Sequence, residues 1–194
     1  MTDFKKNMIS QFGNPRGVVG RVVGWVLGHR GSNQQRNRWA VSLLDVRPTD
    51  RVLEIGFGAG IAIAELASRG ATVYGVDHSE VMVRQASRRN PGANVHLMHA
   101  SVDRLPSFGE PLDVILTVNS LGFWPEPAAR LEELRQLLRP GGRIAVVSQP
   151  RVSRDAVQAA REIQDLLHQA GFGGMRVETL DLDPPVACVI ATAP

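Results

Sequence analysis

Apolar positions recur in two different rhythms along this chain. Near its start they fall at helical spacing: Val18, Val19, Val22, Val23, Val26 and Leu27 follow Asn14, a suitable N-cap, and Pro15, a suitable first helical residue. Gly20, Gly24 and Gly28 leave one face of this predicted helix almost bare. Such a face suits close packing on another element or a thin cover over a ligand. The stretch "SNQQRNRWAVSLLDVRP" continues the helical pattern, with Ser32 and Gln35 spaced as a capping box, an apolar stripe of Trp39, Leu43 and Leu44, and Pro48 as the stop.

From residue 51 the rhythm shortens. Runs rich in Val, Ile and Leu predict strands at 51–56, 72–77, 94–100, 112–119 and 143–149. Helical patterns fall between them, at about 59–69, 79–89, 126–138 and 154–170. Two further strand-like runs, "GMRVETLDL" and "PVACVIATA", close the chain and are joined through Asp183, Pro184 and Pro185, as in a hairpin-like return. Strands alternating with helices imply a parallel sheet covered on both faces. Ligands of such sheets bind beyond the carboxyl ends of the strands, where the strand order reverses. Candidate chemistry is therefore sought at those ends.

At the end of the first strand, "VLEIGFGAG" places Gly56, Gly58 and Gly60 in a turn. A dinucleotide fingerprint would put its third glycine at position 61, which is Ile. Glu54 precedes the turn, and a carboxylate there would oppose a pyrophosphate but favour a cation. S-adenosylmethionine (SAM) carries a sulfonium and an ammonium and no phosphate, so the charge fits it. At the end of the second strand Asp77 follows Gly56 at about the spacing of an acid that accepts hydrogen bonds from ribose hydroxyls, although it could also cap the next helix, as could Ser79.

"VLEIGFGAG", "VYGVDHSEVM", "LTVNSLGFWPEP" and "LLRPGGRIAV" together resemble the class I SAM-dependent methyltransferases, most closely the small-molecule, quinone-biosynthesis-like branch. The resemblance covers about residues 50–150. It implies an α/β, Rossmann-like, doubly wound seven-stranded sheet, mostly parallel, in the order 3-2-1-4-5-7-6 with a C-terminal antiparallel hairpin. The expected organisation is a single methyltransferase domain over 1–194, with an N-terminal helical lid over 1–47 and a SAM-binding core over 48–194. The resemblance further implies that Gly56 and Gly58, with Phe57 between them, let backbone approach the methionine part of SAM, with Glu54 near its amino group. Asp77 would take the ribose hydroxyls, His78 and Met82 would border the adenine, and Asn119 would meet the methionine moiety.

Two departures from the family stand out. Where relatives carry an aspartate for the adenine amino group this chain has Ser101, which passes that contact to Ser101 and the Val102 amide; Asp103 could serve only with a different loop bend. Where many relatives carry a histidine after the fourth strand this chain has Gly122, which removes a familiar base and leaves room for substrate. His29 is then the candidate base, and Arg30, Ser120, Phe123, Trp124 and Gln149 are candidates for the acceptor pocket. "RPGG" at 139–142 reads as the turn before the fifth strand, and His96 and His99 read as structural.

Composition narrows the classes. Hydrophobic residues make up 43% and charged residues 21% of 194, ordinary for a globular protein. The formal charge of +3 and a sequence pI near 9.7 come without any run of five like charges, so a nucleic-acid footprint is not expected. One cysteine, Cys188, allows no intrachain disulfide. The start of the chain lacks a signal-peptide pattern, which makes the cytoplasm the expected location, and no metal-ligand spacing stands out. A nicotinamide oxidoreductase is disfavoured by the glycine spacing, by Glu54 and by the lack of a Tyr-x-x-x-Lys pair. The expected activity is methyl transfer from SAM to a small-molecule acceptor by in-line displacement, mainly through positioning, with S-adenosylhomocysteine (SAH) as product. The alternatives are a SAM-binding interaction module, one that contacts membrane through Lys5, Lys6, Arg16, Arg21, Trp25 and Arg30, or a macromolecule methyltransferase, against which the missing N/D-P-P-Y signature counts.

Overall fold

The computed structural model describes residues 31–150 and 155–194. The glycine-faced helix expected over residues 14–28 lies outside them, as do His29 and Arg30. The elements in chain order are α1 (Gly31–Ser42), β1 (Arg51–Ile55), α2 (Ile61–Ser68), β2 (Thr72–Asp77), α3 (Glu80–Arg89), β3 (Val95–His99) and β4 (Leu112–Val118). After a 3₁₀ turn at Leu121–Phe123 come α4 (Pro127–Leu137), β5 (Leu138–Ser148), α5 (Ala156–Gln169), β6 (Gly173–Leu180) and β7 (Val186–Thr192).

The seven strands form one sheet in the order β3-β2-β1-β4-β5-β7-β6. The pairs β2–β3, β1–β2, β1–β4 and β4–β5 are parallel, while β7 runs antiparallel to both β5 and β6. This is the expected order and the expected hairpin. Successive strand residues point to opposite faces. Leu53, Ile55, Ile115, Ile144 and Val146 join one core layer with Leu131, Leu134, Ile163 and Leu167 of α4 and α5. Val52, Val114, Leu116, Ala145 and Val147 join the other, with Ile63 and Leu66 of α2 and Ala40, Val41 and Leu44 from α1 and the residues just after it. α5 shows how sequence makes such a layer: Ala156, Ala159, Ala160, Ile163 and Leu167 recur on one buried face, and the Asp155 carboxylate caps the helix by accepting the Val157 N–H at 3.0 Å.

Two local expectations are corrected. Ser32 does not precede the helix as a cap, because it lies within α1. "RPGG" is not a turn ahead of β5 but an excursion within it. Leu112 pairs with Leu138 and Val114 with Arg143, so the residues between bulge out, and Gly141 takes a φ of +73° while its N–H donates to the Ala193 carbonyl at 3.0 Å. The return from β7 holds this segment in the sheet, and that pairing is not visible in the local sequence.

At the amino ends of the strands the charges satisfy one another. Buried Asp50 pairs with Arg143 at 2.9 Å, and Asp113 accepts the Arg51 N–H at 2.8 Å and the Arg139 guanidinium at 2.6 Å. The carboxyl ends differ, as described next. Among the described residues no helix is long and apolar enough to cross a membrane.

Candidate functional site

β1 leads to β2 and β3 on one side and β4 and β5 lie on the other, so the strand order reverses between β1 and β4. The ladder continues past the strand ends there: the Gly56 N–H donates to the Val76 carbonyl at 2.7 Å and the Asn119 N–H to the Val147 carbonyl at 2.8 Å. These bonds fix the two turns that face the switch point.

The glycines of the first turn have distinct reasons to be glycine. All three have positive φ: +73° at Gly56, +52° at Gly58 and +72° at Gly60. A Cβ on Gly56 would lie 2.6 Å from the Ser120 Cβ, and one on Gly60 would lie 2.8 Å from the Ala86 Cβ. A Cβ on Gly58 would meet nothing within 4 Å. Gly56 and Gly60 therefore pack the turn against its neighbours, and Gly58 faces open space. Gly56→Ala is expected to cost roughly 2–5 kcal/mol, from backbone strain plus overpacking, and Gly58→Ala only about 1–2 kcal/mol from strain. Paired thermal melts check the contrast, and equal losses would contradict it.

The Phe57 side chain is buried in the core layer shared with Ile63, so what it leaves in the turn is backbone. A Cβ on Gly75 would lie 2.8 Å from the Phe57 ring, so that strand glycine makes room for it. From the far side, the end of α3 closes on the turn. The Asn90 side-chain amide donates to the Gly60 carbonyl at 3.2 Å and to the Ala86 carbonyl at 2.9 Å, and Arg89 donates to the Ala59 carbonyl at 3.1 Å. Arg89 and Asn90 are not among the expected site residues. An Arg-Asn at a helix end reads from sequence as an ordinary C-terminus, and only the tertiary contact gives it this role.

Asp77 ends β2 and is almost fully buried. Its Oδ2 accepts the Gly58 N–H and its Oδ1 the Ser79 N–H, both at 2.8 Å. Its carboxylate thus binds the glycine turn as well as the start of α3. A carboxylate offers about four lone-pair sites, so each oxygen retains room for another donor. Burial pushes the Asp77 carboxyl up from its usual range, and the two N–H bonds and the neighbouring histidines work against that.

Glu54 is 1% exposed. It alternates with Val52 onto the face covered by α2 and accepts the Ile63 N–H near the start of that helix. Its Oε2 is buried and has no hydrogen-bond partner among the described residues. Burial, and then the Asp77 carboxylate, raise the Glu54 pKa from 4.5 to about 8. Two buried acids share the site, so each disfavours ionisation of the other.

The other expected residues fall around the same end of the sheet. His78 is exposed, and its carbonyl is within 3.0 Å of the His99 Nε2; Met82, in the first turn of α3, is buried. Val102 is buried in the core layer beneath the loop after β3. The Ser101 hydroxyl hydrogen-bonds Asp103 and holds that exposed carboxyl below its usual range. Ser120 uses its hydroxyl internally: it donates to the Ile55 carbonyl at 3.0 Å, lies 2.6 Å from the Thr117 hydroxyl and accepts the Trp124 indole N–H at 3.1 Å. Trp124 is half-buried against the core, and Phe123 is 60% exposed. Asn119 has a φ of +54°, and its Oδ1 accepts the Gln149 N–H at 2.7 Å.

An orphaned carboxyl oxygen under the glycine turn, a neighbouring acid with spare acceptor sites and an open face at Gly58 fit a ligand with an ammonium and a ribose diol, as SAM has. Residues 52–142 match the methyltransferase domain family. The chain carries a methyltransferase domain. SAM-dependent methyltransferases, one of them with SAH bound, share its fold. The uncharacterized methyltransferase YdaC of Bacillus subtilis is 27% identical over 178 residues, covering 89% of this methyltransferase and 97% of YdaC. The demethylmenaquinone methyltransferase of Clavibacter sepedonicus is 36% identical over 98 residues, covering 50% of this chain and 40% of the relative. This chain thus spans nearly all of YdaC but less than half of the quinone-modifying relative. In fold it resembles the N-methyltransferase NodS of Bradyrhizobium japonicum WM9 in complex with SAH, with a TM-score of 0.73 at 17% identity over 88% of this chain and 91% of NodS.

Proposed function

We propose that this methyltransferase transfers the methyl group of SAM to a small-molecule acceptor, and that it works mainly by holding the reactants in line and excluding water. The observation that carries the reading is the pair of buried acids at the switch point, one with an unpartnered oxygen and the other with spare acceptor sites. SAM supplies a methyl group already activated on a sulfonium, ready for in-line displacement. Glu54 would hold its ammonium, Asp77 its ribose diol, and the turn around Gly56, Phe57 and Gly58 its methionine backbone. His78, Met82, Ser101 and Val102 would line the adenine side, and Asn119 the methionine side.

The acceptor side is assigned to the turn after β4. Phe123 offers an exposed ring for a flat substrate, and a Cβ placed on Gly122 beside it would meet nothing within 4 Å. Support for a small acceptor comes from the demethylmenaquinone relative's name and from the sequence, which carries no large insertion after the fifth strand. Arg30 would join the acceptor pocket and His29 would serve as its base; both precede the described residues. The division into a lid over 1–47 and a core over 48–194 is part of the same reading.

Calorimetry with SAH and NADH tests the proposal directly. SAH should bind and NADH should not, and the reverse would overturn it. Gly58→Ala should weaken SAH binding while the protein stays folded, because its methyl group fills the open face of the turn. Phe123→Ala should leave stability within about 0.5 kcal/mol and SAH affinity unchanged, since the ring is exposed. The same variant should raise KM in an acceptor screen, and an unchanged KM would remove Phe123 from the pocket.

A further inference from the structure

One half-buried residue, Gln149, joins four parts of the chain at the carboxyl end of the sheet. Its backbone N–H donates to the Asn119 Oδ1 at 2.7 Å, beyond β4. Its side-chain Nε2 donates to the Pro184 carbonyl at 2.8 Å, in the connection between β6 and β7. Its Oε1 accepts from the Arg36 guanidinium of α1 at 2.5 Å. A flipped amide would face a donor with a donor and a carbonyl with a carbonyl, so the two side-chain bonds fix one orientation. Arg36 also donates to the Asn33 Oδ1, and the buried Asn37 amide donates to the Asn33 carbonyl at 2.7 Å and to its Oδ1 at 3.0 Å. A continuous polar chain therefore runs from α1 through Arg36 and Gln149 to Asn119.

Asn119 is the residue in this chain with something to hold. Its φ of +54° is strained for a side-chain-bearing residue, though asparagine tolerates it better than most. Two bonds pin it: its N–H to the Val147 carbonyl at 2.8 Å and its Oδ1 to Gln149. The second bond depends on where the Gln149 backbone sits, and the Gln149 side chain sets that through Arg36 and Pro184. This bond leaves the Asn119 backbone carbonyl and Nδ2 to face a cofactor.

We propose that Gln149 is a positioning residue. By anchoring to α1 and to the β6–β7 connection, it fixes the left-handed turn at Asn119 in the form that receives the methionine part of SAM. This rests on the cofactor placement proposed above. It moves Gln149 from the acceptor pocket, where its place after β5 suggests it, to support of the cofactor turn.

SAH calorimetry with wild type, Gln149→Ala, Gln149→Glu and Asn119→Gly, well below each melting temperature, tests the role. Gln149→Ala should weaken SAH binding about tenfold, the equivalent of one lost hydrogen bond, with a folded circular-dichroism spectrum. Gln149→Glu keeps the acceptor for Arg36 but sets an oxygen against the Pro184 carbonyl, and should recover only part of the affinity. Asn119→Gly keeps the left-handed backbone but removes the acceptor, and should lose affinity as Gln149→Ala does. If Gln149→Ala lowers the melting temperature but binds SAH as wild type does, the residue is merely structural and the proposal fails, while the cofactor placement stands. Should wild type itself not bind SAH, both fall together.

Discussion

Asp77→Ala is expected to weaken SAH binding by at least about 100-fold. Each carboxylate oxygen already accepts one backbone N–H at 2.8 Å, from Gly58 and from Ser79, and each retains a lone pair for a ribose hydroxyl. Hydrogen bonds to a charged group contribute about 1.5–3 kcal/mol each, so losing two costs ~3 kcal/mol or more. The substitution also leaves the Gly58 and Ser79 N–H groups without their acceptor, which loosens the glycine turn. Asp77→Asn should recover little, because one oxygen becomes an amide that presents a donor to a backbone donor. Titration calorimetry of both variants, with melting curves to confirm folding, reads the effect. An Asp77→Ala variant that binds SAH within a few-fold of wild type would contradict the ribose assignment.

Glu54 yields the second large effect, read in protons. In the free protein its pKa stands at about 8 rather than 4.5, first because it is buried and then because Asp77 lies near. At pH 7 it is mostly protonated, and a cation placed beside its unpartnered oxygen favours ionisation. SAH carries such an ammonium, so its binding at pH 7 should release close to one proton, and the release should fade above pH 8. Calorimetry in buffers of different ionisation enthalpy counts the protons. Zero release at pH 7 would separate Glu54 from the ligand. Glu54→Gln should abolish the release and weaken binding.

The same shift acts on stability. Because the folded-state pKa lies above the unfolded one, the contribution of Glu54 is fully present below about pH 4.5, is lost as pH rises toward about 8, and levels off beyond. The amount is on the order of a few kcal/mol. Glu54→Gln keeps an acceptor for the Ile63 N–H and carries no titratable group, so its melting temperature should vary less than that of wild type across this window.

Much of the molecule is readable in the chain because local pattern and layer burial agree. Short continuous apolar runs between period-3.6 helices dictate a two-sided parallel sheet, and the turn after β1 announces itself by glycines that need positive φ. The positions of Glu54 and Asp77 at strand ends follow from the same pattern, while the family is legible only through the resemblance carried by the motifs around them. Charge state is not legible. Glu54 reads in the sequence as an ordinary carboxylate, and only its burial, with Asp77 beside it, raises its pKa.

Long-range contacts are equally invisible there. The excursion of Arg139–Gly142 inside β5 depends on β7 returning beside it. The closure of the glycine turn by Arg89 and Asn90 depends on where α3 ends in space, 30 residues along the chain from Ala59 and Gly60. Ser120 and Gln149 read as equally available for substrate, yet Ser120 ties the β4 turn under Gly56 and Gln149 ties it to α1. The sequence by itself determined which elements form, in what order, and which residue types reach the switch point, since those follow from short-range periodicity and backbone sterics. Tertiary structure alone decided which polar groups are left over for a ligand, because a hydrogen bond is available only when no other part of the fold has already taken it.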